Sequence, residues 1–180
     1  MTSAVSRRST ILHALWGIGL LAACTPALSQ ELGEWRALTA EEEKSHKGDV
    51  PADSADPLSV EADFDGDGRK DKALIAARRA DGVRDLIVRM GDRIHVLVRS
   101  EEGGASVGAE DGLGLAEPGR WETVCGNAFR DLQGGLCESE QYPEAVTLKH
   151  PGLLHISPGE AMLYFWNRKK KTFDAVGLRN

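Results

Sequence analysis

From residue 58 onward the apolar positions fall in short runs separated by turn residues, the spacing of strands and not of long helices. "RIHVLVRS" is the clearest case: Ile94, Val96 and Val98 alternate with His95, Leu97 and Arg99. "KALIAARRA" ahead of Asp81-Gly82 and "VRDLIVRM" ahead of Gly91-Asp92 complete a predicted three-stranded meander, the pairs being hairpin turns. By propensity alone Ala73 to Ala80 also suits a helix. A second meander is expected from "AVTLKH", "LLHIS", "EAMLYFWN" and "TFDAVGL", turning at Pro151-Gly152, at Pro158-Gly159 and in a basic turn. The stretch from Glu101 to Arg120 is glycine-rich and reads as an interruption. The fold class is therefore mainly β: antiparallel meanders forming one sheet or a small sandwich.

Before this region, "ELGEWRALTAEEEKSH" reads as a short N-terminal helix, with Thr39 and Glu42 as a capping box and glutamates in its first turn. "KGDVPADSADP" follows as a polar connector, so residues 24–57 are assigned to helix and linker and 58–180 to the β-domain. Residues 1–23 read as an export signal: Arg7 and Arg8 precede an apolar run from Ile11 to Ala23. "LAAC", Leu21 to Cys24, resembles the lipobox of bacterial lipoproteins, which would make Cys24 the lipidated residue; cleavage after Ser29 is the alternative. The expected location is the periplasm or, through that anchor, a membrane of a bacterial envelope.

The 180-residue chain carries a formal charge of −6. An acidic exported domain is a poor nucleic-acid partner and a suitable one for divalent cations. With Cys24 lipidated or removed, Cys125 and Cys137 form an even pair, read as a structural disulfide closing "CGNAFRDLQGGLC".

The densest chemistry lies in "DFDGDGRKDKALI". Asp63, Asp65, Asp67 and Asp71 take the first, third, fifth and ninth places of a loop, with Gly68 at the sixth. Hard cations such as Ca²⁺ need six to eight oxygens at short range, and alternate residues of a tight loop aim carboxylates at one centre. The Arg69 carbonyl would add a further ligand. An EF-hand needs a glutamate at the twelfth place, which is Leu74 here, so the loop is not an EF-hand. It resembles the calcium loop of FG-GAP or VCBS-type repeats, where D-x-D-x-D-G-x-x-D joins two strands. One motif is too little for the propeller those repeats build. The wider chain resembles small exported bacterial proteins that carry a single such loop and no assigned activity.

His46, His95, His150 and His155 form no H-E-x-x-H motif, and His150 and His155, flanking a Pro-Gly pair, are expected at the surface. No P-loop, G-x-S-x-G or dinucleotide fingerprint occurs. "NRKKK", Asn167 to Lys171, reads as a solvated turn, with contact to anionic lipid or glycan as the sharper alternative. The expected function is a calcium-stabilised, non-enzymatic envelope protein with a protein or glycan partner. The alternatives are an enzyme inhibitor or accessory protein and a calcium-assisted hydrolase.

Overall fold

The computed structural model describes residues 32–47, 56–101, 106–126, 137 and 142–178. The expected signal, Cys24, Ser29 and most of the connector lie outside them. No helix among the described residues is long and apolar enough to cross a membrane.

The described residues form eleven strands and one helix: β1 (Trp35–Ala37), α1 (Ala40–Lys47), β2 (Ser59–Ala62), β3 (Asp71–Arg78), β4 (Arg84–Met90), β5 (Arg93–Val98), β6 (Gly112–Ala116), β7 (Gly119–Glu122), β8 (Ala145–Leu148), β9 (Gly152–Ser157), β10 (Glu160–Asn167) and β11 (Thr172–Leu178). The expected β3–β4–β5 meander is present, all antiparallel. β1 and β2 share the remaining edge of β3, β2 along its first half and β1 along its second. A second sheet has the order β11-β10-β9-β6, and β7 pairs with β8 in a separate two-stranded ribbon.

The two larger sheets bury one common core. Ile75, Leu86 and Val88 from the first meet Leu113, Leu153 and Tyr164 from the second, with Phe64 among them at 1% exposure. This is a sandwich, and each sheet is also covered on its outer face. Trp35 and Leu32 pack over Leu74, Ala76 and Ile87. Trp121 and Val146 pack over Leu163 and Val176. Because β3 has apolar neighbours on both faces, it is buried almost end to end. Its sequence therefore shows no alternation, and its run of alanines suits a helix as well as a doubly covered strand. Beneath Trp35, the fully buried carboxylate of Asp85 accepts the indole N–H at 2.8 Å and the Ser100 N–H at 2.8 Å. A buried polar group is tolerated when hydrogen-bonded in this way.

Three expectations need correction. The helix starts only at Ala40, and Trp35–Ala37, expected inside it, is a strand. The boundary lies where the capping box puts it: Glu42 N–H donates to Thr39 Oγ1, and Thr39 N–H to Glu42 Oε2. Arg36 bonds both Glu42 oxygens and, with the Thr39 N–H, holds that carboxyl down to about 2. Second, the glycine-rich stretch is no interruption: it contributes β6 and β7. Since β6 takes the edge of β9, β8 pairs with β7 instead, and Pro151-Gly152 is a crossover between sheets, not a hairpin. Third, the Asp81-Gly82 turn is five residues long (79–83), whereas the Gly91-Asp92 and Pro158-Gly159 turns have the expected two.

Candidate metal centre

The loop from Asp63 to Lys70 leaves β2 and returns as β3, its ends pinned where Ala62 pairs with Asp71. Phe64 turns inward and anchors the loop in the core, so its neighbours Asp63 and Asp65 turn the other way. The backbone then winds around the first carboxylate. Asp63 Oδ1 accepts the N–H groups of Gly66 (2.7 Å) and Asp67 (3.0 Å), and Oδ2 accepts that of Gly68 (2.9 Å). Gly66 and Gly68 have φ of +72° and +89°, a conformation in which glycine carries no steric cost.

One oxygen each from Asp63, Asp65 and Asp71 lie within 4.8 Å of one another. Oxygens bound to one Ca²⁺ ion at about 2.3–2.6 Å each stand no more than about 5 Å apart, so the trio is close enough to share an ion. An all-oxygen, all-carboxylate set suits a hard cation, so these residues fit the ion expected from the sequence. Asp67 is not in this trio; its Oδ1 accepts the Arg69 N–H at 2.8 Å. Arg69, expected to offer its carbonyl, is exposed.

Asp71 distinguishes the loop from a solvated acidic turn. It is 4% exposed and accepts the Phe64 N–H at 3.1 Å. Burial pushes its carboxyl up to about 6; the Phe64 N–H works against this, while the charges of Asp65, Asp67 and Asp63 add to it. Four neighbouring carboxylates thus carry a charge that a divalent cation would offset.

Arg168, in the β10–β11 turn, reaches the loop from the other sheet. Its guanidinium donates to the Asp65 carbonyl (2.9 and 3.2 Å) and to the Gly66 carbonyl (3.3 Å). It also lies 3.1 Å from His150 Nε2, which must accept because a guanidinium only donates. Nothing in the local motif announces this contact across about a hundred residues. The "NRKKK" cluster, which by sequence reads as a solvated turn, supplies it.

Of the described histidines, His46 and His155 meet at Asp111, and the other two stand elsewhere. His150 stands at the loop, and His95 packs edge-on against Trp166 and Phe173. His46 Nε2 lies 2.6 Å from the Asp111 carbonyl oxygen. His155, expected at the surface, is 6% exposed, with Nε2 2.7 Å from Asp111 Oδ2. Sequence reasoning missed Asp111, whose carboxylate also accepts the Gly108 N–H. Cys125 and Cys137 stand at disulfide distance, their Cα atoms 5.3 Å apart. No family model, curated protein or solved structure matches the chain.

Proposed function

We propose that this protein is a calcium-binding β-sandwich of the bacterial envelope with a binding, non-enzymatic role, in which the ion fixes the β2–β3 loop. The observation that carries the reading is the trio Asp63, Asp65 and Asp71, one member of which is buried. Its place between two antiparallel strands agrees with the FG-GAP or VCBS-type resemblance of residues 63–71. The ion serves shape: the loop it would fix bonds β10–β11 through Arg168, so it would brace one sheet against the other. Export, with an anchor at Cys24 or cleavage after Ser29, rests on the signal-like residues 1–23.

Calorimetry on chelator-stripped, folded protein tests the proposal. We expect about one Ca²⁺ per chain, with the heat abolished in Asp65→Ala. A wild-type protein that takes up no calcium, or an Asp65→Ala variant that binds as the wild type does, would refute it.

A further inference from the structure

Beside the carboxylate loop, a cleft of about 450 Å³ opens between the β8–β9 crossover and the β10–β11 turn. Lys149, His150, Arg168 and Lys169 line it, with aromatic surface from the half-buried Phe165 and Trp166. In a chain of net charge −6, no carboxylate among the described residues does. Lys170, one residue further on, is paired with Asp174 at 2.8 Å, but neither Lys149 nor Lys169 has a carboxylate partner among the described residues. The volume lies within the roughly 300–1,000 Å³ typical of small-ligand sites.

We propose that this cleft binds an anionic saccharide, its carboxylate held by the lysines and its ring set against the aromatic surface. The concavity decides between the two sources of negative charge. A membrane surface is met by a projecting basic patch, whereas here the cations line a recess with aromatic faces inside it. The cleft also shares Arg168 with the loop, where it bonds the Asp65 and Gly66 carbonyls. On the calcium reading above, filling the loop adds two positive charges beside the cleft and holds Arg168 in place. Calcium and the saccharide then bind cooperatively. Across roughly a Debye length, two charges are worth a roughly two- to fivefold gain in affinity, smaller at high salt.

Amide shifts of the full chain, titrated with a uronate disaccharide in calcium and in chelator, test this. The neutral disaccharide, inorganic phosphate and phosphatidylglycerol vesicles serve as comparison probes, and calcium uptake is measured separately. We expect uronate shifts confined to residues 147–150 and 165–169, two- to fivefold tighter in calcium. The Lys149→Glu/Lys169→Glu variant, altered only at exposed positions, should bind at least roughly fivefold more weakly. No uronate shift in the calcium-loaded protein, equal binding of the neutral sugar, or binding of vesicles or phosphate in place of the uronate would overturn the saccharide assignment. Uronate binding that ignores bound calcium would overturn the coupling. Uronate binding by a protein that takes up no calcium would remove the calcium reading and the coupling and leave the cleft assignment standing.

Discussion

Gly66→Ala is the sharpest single perturbation of the contact between the loop and β10–β11. A Cβ built on Gly66 would lie 2.1 Å from His150 Cε1, and the backbone there has φ +72°. Two costs follow. A non-glycine residue in the left-handed region costs roughly 1–2 kcal/mol. The His150 ring must also move away, losing its bond to Arg168, worth roughly 0.5–1.5 kcal/mol net. The sum is about 1.5–3.5 kcal/mol. Gly68→Ala is the internal control, because it has φ +89° in the same loop and nothing within 4 Å of its Cβ. It should incur only the backbone cost, about 1–2 kcal/mol. His150→Ala should remove the excess: in that background Gly66→Ala should cost no more than Gly68→Ala. Urea unfolding of the three single variants and the two double variants, at fixed calcium, completes the cycle. Equal costs for Gly66→Ala and Gly68→Ala in the wild-type background would refute the packing of His150 on the loop. So would a Gly66→Ala cost that His150→Ala leaves unchanged.

In calcium-free protein the raised carboxyl of Asp71 binds its proton more tightly folded than unfolded. Its contribution is therefore full below about pH 4 and lost as pH rises through about 6; urea midpoints at pH 4.5 and 7 should shift apart less in Asp71→Asn than in wild type. His95 behaves oppositely, because burial first and the Arg93 charge second lower its pKa. Stability is held above about pH 6.5, the ordinary histidine value, and falls as pH drops through the lowered one, a loss that thermal melts of His95→Phe should not show. Asp85→Ala removes the acceptor of Trp35 Nε1 and of the Ser100 N–H and should cost about 3–5 kcal/mol by chemical denaturation. Reducing the Cys125–Cys137 pair, 12 residues apart, should cost about 3 kcal/mol, measured by urea unfolding with and without reductant.

What the sequence made legible was local. The capping box at Thr39 and Glu42, the Gly91-Asp92 and Pro158-Gly159 turns and the loop of aspartates depend on neighbours a few residues apart, and each stands where the pattern puts it. Partnership between strands is not local. β8 has the composition of a strand that would continue into β9. It pairs with β7 because β6, hidden in a glycine-rich stretch, holds the edge of β9. β1 is three residues long, too short for periodicity to register; its place is set by Trp35 reaching Asp85 fifty positions away. The candidate site divides the same way. Its carboxylates could be read directly, but the burial of Asp71 and the reach of Arg168 come from the packing of the two sheets.

The central claim is that calcium in the β2–β3 loop serves shape, and hydrogen exchange with and without chelator tests it most directly. Stripping the ion leaves the loop carboxylates repelling one another, so protection should fall across residues 62–75, while β9, β10 and β11 change little away from the Arg168 turn. Exchange that stays the same in residues 62–75 when proven bound calcium is removed would contradict the account.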